Sequence, residues 1–176
     1  MKFEESPLRG AFVIDVEELR DARGFFARAW CAKEFKDHGL EPDLIQANIS
    51  VNTKPGTIRG LHYQIEPYQE CKLVRCTRGA IYDVLVDIRP DSPTRGRWFG
   101  VELTAQNHRM LYVPEGCAHG YQSLVADTEV LYHVSQVYSP ECERGLRWND
   151  PVIGIAWPLI DGIIVSEKDQ SWPDFR

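Results

Sequence analysis

The chain has 176 residues and a formal net charge of −6, enough length for one domain with a real core and the wrong sign for a general nucleic-acid coat. No run approaches the ~18 apolar residues of a membrane span, and Met1 to Pro7 carries no apolar stretch of signal-peptide length. The five cysteines, Cys31, Cys71, Cys76, Cys117 and Cys142, are odd in number and show no CxxC spacing; neither a disulfide framework nor a zinc site is suggested, and a soluble protein of the reducing cytoplasm is expected.

Taken in chain order, the first element is the one convincing helix, Cys31 to His38, where Ala32-Lys33-Glu34-Phe35-Lys36 are good formers and Gly39 is a stop. Strands follow: Lys72 to Cys76, Ala80 to Ile88, Trp98 to Thr104, Met110 to Val113 and Thr128 to Tyr138, the last closed by Pro140. Turn clusters separate them at Asn52 to Gly56, Arg89 to Pro93 and Pro114 to Gly116. No repeat, low-complexity tract or linker divides residues 1–176, so a single domain is expected. Many short strands with regular turns predict a mainly β fold, a sandwich, jelly roll or barrel with little helix. Within Ala80 to Ile88, Tyr82, Val84, Val86 and Ile88 alternate with Ile81, Asp83, Leu85 and Asp87. From pattern alone the two aspartates mark a solvent face; the sharper reading is a polar lumen around a ligand.

Two spaced signatures carry chemistry. One is Gly56, five residues, His62, one residue, Gln64, then Lys72, six residues, Gly79; the other is Pro114-Glu115-Gly116-Cys117-Ala118-His119. Together they resemble the two motifs of the cupin jelly roll, whose metal-binding members supply three imidazoles and a carboxylate to a divalent transition metal. Here Gln64 and Lys72 stand where a His and a Glu would be. A lysine repels a cation and glutamine is a poor ligand, so the scaffold reads as retained and the metal as lost. For either histidine alone, a satisfied core imidazole is the default; the motif context makes that the lesser reading.

Over nearly its whole length the sequence resembles the dTDP-4-dehydrorhamnose 3,5-epimerase family. The matching runs are Asp21 to Phe26, Gln46 to Asn48, Ile58 to Gln64, Lys72 to Val74, Asp83 to Arg89, Pro114 to Gly120, Glu129 to Tyr132, Trp148 to Pro151, Ile155 to Pro158 and Ser166 to Asp169. The resemblance implies a cupin-type antiparallel jelly roll, epimerisation at C3 and C5 of a nucleotide-linked 4-keto-6-deoxyhexose, no cofactor or metal, and a homodimer in which an N-terminal extension adds a strand to its partner. It implies that His62 is the base that removes a proton beside the ketone, that Asp169 hydrogen-bonds it and fixes its tautomer, that Lys72 holds the enolate charge, and that Tyr132 returns a proton from the other face. Without the family, Asp169 reads as a cap, Tyr132 as core packing and Lys72 as a solvated strand end. For the anionic substrate it implies pyrophosphate contacts from Arg23, Arg59 and Lys168, further binding by Phe26, Gln46, Asn48, His119 and Glu143, and base stacking on Tyr138.

Three positions depart from the family pattern: Arg28 stands where Glu is usual, Ala47 where Asp is usual and His133 where Lys is usual. They bear on the nucleotide and sugar rather than on the proton chemistry. Rival readings are a mono-epimerase, an epimerase of another nucleotide-linked ketosugar, a metal-dependent cupin oxygenase and a catalytically silent sugar-binding cupin.

Overall fold

The computed structural model describes residues 1–176. In chain order it runs β1 (Lys2–Glu5), β2 (Phe12–Asp15), β3 (Leu19–Asp21), β4 (Gly24–Phe26), α1 (Ala32–Asp37), β5 (Gln46–Asn52), β6 (Thr57–Gln64), β7 (Lys72–Arg78) and β8 (Ala80–Asp87). It continues with β9 (Trp98–Thr104), β10 (Met110–Val113), β11 (Cys117–Ser123), β12 (Thr128–Val134), β13 (Glu143–Gly145), β14 (Ile164–Val165) and α2 (Glu167–Gln170). One sheet has the order β1-β2-β10-β7-β12-β5, the other β13-β6-β11-β8-β9 with β14 on β6, and β3-β4 is a separate hairpin. Apart from β14 the pairings are antiparallel. The cupin-type jelly roll expected from the sequence is present.

The two sheets face each other across the main core. Val13, Val74, Leu111 and Val130 come from the first sheet, and Ile81, Leu85, Leu103 and Tyr121 from the second. Each fully buried aliphatic side chain contributes about 1.5–3 kcal/mol of burial free energy. The back of the first sheet is covered by Phe35 of α1, which packs with Ile14, Leu73 and Tyr112. The back of the second is covered by the C-terminal segment through Leu146, Ile153 and Trp157. At one end the apolar filling gives way to polar side chains, and that end is the site.

Two expectations are corrected. The strand expected to reach Tyr138 stops at Val134: the ladder continues one step further through Ile45 N–H and Ser135 N–H, and beyond it the Val137 carbonyl and the Ser139 N–H bond to the Gln64 side chain instead of a neighbouring strand; Tyr138 lies in that loop. Asp83 and Asp87 do not face solvent: both are fully buried. Both faces of β8 are covered, Ile81 and Leu85 by the opposite sheet and Val84 and Val86 by the C-terminal segment. Alternation therefore marked which face each residue takes, not which face is wet.

Candidate active site

The run around His62 is a strand, β6, and it is irregular. Its register against β11 pairs His62 with His119 and Arg59 with Tyr121, so β6 spends three residues where β11 spends two. This bulge falls at Gly60 and Leu61. In a regular strand, residues 59 and 62 would point to opposite faces. The extra residue brings Arg59, His62 and Gln64 onto the pocket side while Ile58 and Leu61 stay in the outer apolar layers. Glycine is required there: Gly60 has φ +116, and a Cβ on it would lie 2.7 Å from both the Gly120 Cα and the His119 carbonyl oxygen.

His62 Nε2 is 2.6 Å from Asp169 Oδ1, and the backbone N–H of Gly60 donates to Asp169 Oδ2 at 3.1 Å. Asp169 opens no turn with its side chain; Ser166 caps α2 by accepting from the Asp169 backbone N–H. Burial pushes the Asp169 carboxyl up. The hydrogen bond and charge of His62, with the Gly60 and Trp172 donors, outweigh that and hold it below its ordinary value. An ionised Asp169 accepts a hydrogen bond from Nε2–H and so leaves Nδ1 as the nitrogen able to accept a proton.

His119 forms a second pair, Nε2 to Asp83 Oδ1 at 2.8 Å. Here burial wins over the histidine and pushes Asp83 up, and Asp83 Oδ2 is buried without a partner. The other lumen-facing aspartate, Asp87, is spent on structure: Arg89 grips it at 2.9 and 2.7 Å and Thr94 at 2.6 Å.

From the opposite sheet come Tyr132 on β12 and Lys72 on β7. The Tyr132 phenol is pushed up, first by burial and then by the neighbouring Tyr121 and Glu70, so it remains a proton carrier well above neutral pH. Lys72 is buried rather than solvated, and its ammonium pairs with Glu70. His62, Lys72 and Tyr132 line two connected lobes. The lobe of about 390 Å³ adds Arg59, His119 and Tyr121; the lobe of about 330 Å³ adds Gln46, Asn48, Tyr138 and Glu143.

At the rim, Glu143 Oε2 accepts from the Tyr138 hydroxyl and from Lys168 Nζ, each at 2.6 Å. Gln64, read as a lost metal ligand, ties down the loop that carries Tyr138. Its amide donates to the Tyr68 and Val137 carbonyls, and its oxygen accepts from Ser139 N–H. No group of three or more His, Cys, Asp or Glu side chains is arranged to hold a metal ion.

Eleven of the sequence-predicted residues thus converge, with Asp169, Lys168 and Arg59 among them. Arg23 and Phe26 do not: they sit on the exposed β3–β4 hairpin, where Arg23 pairs with Asp21 at 2.6 Å and Phe26 is 70% exposed. Arg28 lies nearby, bonded to Glu34 at 2.8 Å. The sequence reading missed Glu70, whose signal was a carboxylate two residues before Lys72. It also missed the part played by Asp83, which shares a strand face with Ile81 and Leu85, and it passed over Trp172.

A histidine–carboxylate pair on one wall, a neutral phenol on the other and a lysine beside it can remove a proton from one side of a bound molecule and supply one to the other. On a cupin-type jelly roll, this defines an isomerase. The sequence matches the dTDP-4-dehydrorhamnose 3,5-epimerase family over residues 5–176. It is 44% identical over 173 residues to the dTDP-4-dehydrorhamnose 3,5-epimerase of Sinorhizobium fredii, covering 98% of this chain and 89% of that one. The crystal structure of the enzyme of that name from Elizabethkingia anophelis superposes with a TM-score of 0.97 at 37% identity, covering 99% and 96% of the two chains. An epimerase from Legionella pneumophila in complex with dTDP-4-keto-L-rhamnose superposes with a TM-score of 0.92 at 35% identity, covering 98% and 92%. The chain belongs to the dTDP-4-dehydrorhamnose 3,5-epimerase family.

Proposed function

We propose that this chain epimerises C3 and C5 of dTDP-4-dehydro-6-deoxy-D-glucose to give dTDP-4-dehydro-L-rhamnose, with residues 1–176 acting as one domain. The observation that carries the reading is the placement of His62 and Tyr132 on opposite sheets around one pocket. Both carbons flank the same ketone, so one base and one oxyanion holder serve both. His62 takes the proton from C3 or C5 through the nitrogen not engaged by Asp169. The electron pair moves onto the C4 oxygen, where Lys72 stabilises the enolate. Tyr132 then delivers a proton to the opposite face of the carbon, inverting it. Only protons move, so the step balances without an oxidant or reductant.

Arg59, Lys168, His119, Gln46, Asn48 and Glu143 bind the nucleotide sugar in this scheme, and Tyr138 stacks on the base. Arg23 and Phe26 belong to the site through a homodimer, in which the hairpin of one copy reaches the pocket of the other. The edge strand β5 supports this: Ile45 just before it and Ile49 and Val51 along it are 59%, 67% and 43% exposed. Five free cysteines fit a reducing cytoplasm, and no helix is long and apolar enough to cross a membrane.

The test is incubation with dTDP-4-dehydro-6-deoxy-D-glucose in heavy water, followed by NMR. Deuterium at both C3 and C5 is expected. Label at one carbon alone makes the enzyme a mono-epimerase, and no label with wild type refutes the assignment.

A further inference from the structure

Trp172 lies just beyond α2, outside every matched run, and it touches each part of the His62–Asp169 pair. Its indole N–H donates to Asp169 Oδ1 at 3.3 Å, the same oxygen that His62 engages. Its ring meets the His62 ring edge-on, with centroids 6.3 Å apart and an interplanar angle of 71°. Lys168 Nζ lies 5.8 Å from the indole centroid.

The indole is seated on Gly145. A Cβ built on Gly145 would fall 2.5 Å from the indole ring atoms, and its three nearest neighbours are all in Trp172. Gly145 is the β13 residue directly paired with His62. Its φ is outside the left-handed region, so alanine fits the backbone there, and its closest conflicts are with the tryptophan. The missing side chain at 145 and the large one at 172 are two halves of one fit, packed against the base from behind.

We propose that Trp172, seated on Gly145, is a positioning residue that fixes the orientation of His62 and Asp169. The inference rests on the epimerase reading, in which His62 is the base. Trp172 acts through that pair and lines neither lobe of the pocket, so its loss falls on turnover rather than on substrate binding.

The test uses Trp172→Phe, Trp172→Ala, Gly145→Ala and the double variant in the full-length enzyme. Phenylalanine keeps a ring and removes the donor. It is expected to lower kcat about tenfold, the equivalent of one net hydrogen bond, with KM within twofold of wild type. Gly145→Ala is expected to lower kcat to a similar extent in the wild-type background and to have no further effect beside Trp172→Ala, because the clash is gone. A Gly145→Ala loss that persists in the Trp172→Ala background overturns the proposal, as does a rise in KM at constant kcat.

A second readout needs no substrate. The imidazole ¹⁵N resonances of His62 are expected to shift in Trp172→Phe and Gly145→Ala. Unchanged His62 resonances in folded variants overturn the proposal whatever the activity. Changed resonances uphold it even if the wild-type enzyme proves to act on another sugar, which keeps the two claims separable.

Discussion

Two histidines face the pocket from neighbouring strands, directly opposite each other in register, and each has a carboxylate behind it. The surroundings make them different devices. Asp169 has every oxygen engaged and is held below its usual pKa, and His62 is 34% exposed toward the pocket. Asp83 is fully buried with one oxygen bare and is pushed up, and His119 is only 10% exposed. The same residue pair therefore gives an accessible imidazole in one place, the base of the proposed reaction, and a buried pair with an unpartnered carboxyl oxygen in the other. The number of donors reaching the carboxylate decides which.

That contrast can be broken by substitution. His62→Ala should lower epimerisation on the order of 10²–10⁴-fold and abolish deuterium exchange at both carbons, whereas His119→Ala should retain exchange and raise KM. Comparable exchange loss in both would erase the distinction. Asp169→Asn should cost kcat roughly 10²-fold, because an amide no longer dictates the histidine tautomer; steady-state kinetics against Asp83→Asn, with an expected loss of about tenfold or less, sharpens the comparison. Tyr132→Phe tests the opposite wall: inversion measured by product NMR should fall at least about tenfold more than proton removal measured by exchange. Since the phenol is pushed above its ordinary value of about 10, its own ionisation should not limit the rate below that pH.

The smallest effect is on stability, and its sign differs between the pairs. Asp169 is depressed, so its stabilisation is present above the ordinary carboxylate range and is lost as pH falls through its folded value. Asp83 is raised, so its contribution is present at low pH and is lost as pH rises through its folded value. Thermal melts at pH 7 should show Asp169→Asn less stable than wild type by about 1.5–3 kcal/mol and Asp83→Asn at least as stable as wild type. Both differences should shrink as the pH is lowered toward 3.

Much of this was legible in the sequence. The short helix at Ala32–Asp37 and strands at 80–87, 98–104 and 110–113 follow from local propensity and alternation. The ordered motifs named His62, Lys72, Tyr132 and Asp169, and the pocket gathers them. What escaped depends on distant chain. The polar look of Asp83 and Asp87 suggested solvent because nothing local announces that Val84 and Val86 are roofed by residues past 145. Beyond the end of β12 the chain is held by the distant Gln64 side chain, not by its own β-formers. Arg23 and Phe26 match the family yet lie away from the chain's own pocket, because nothing local to them announces that β3 and β4 pair as a separate exposed hairpin.

The bulge in β6 acts as a frameshift in the strand's two-letter code. Upstream of Gly60, one parity of residue number reads "inside"; downstream, the other does. Deleting a single residue there would leave an unbroken ladder and a conventional strand. It would also send either Arg59 or His62 into the greasy layer beside Leu146 and Ile153, exchanging a guanidinium or an imidazole on the pocket wall for a better-behaved strand.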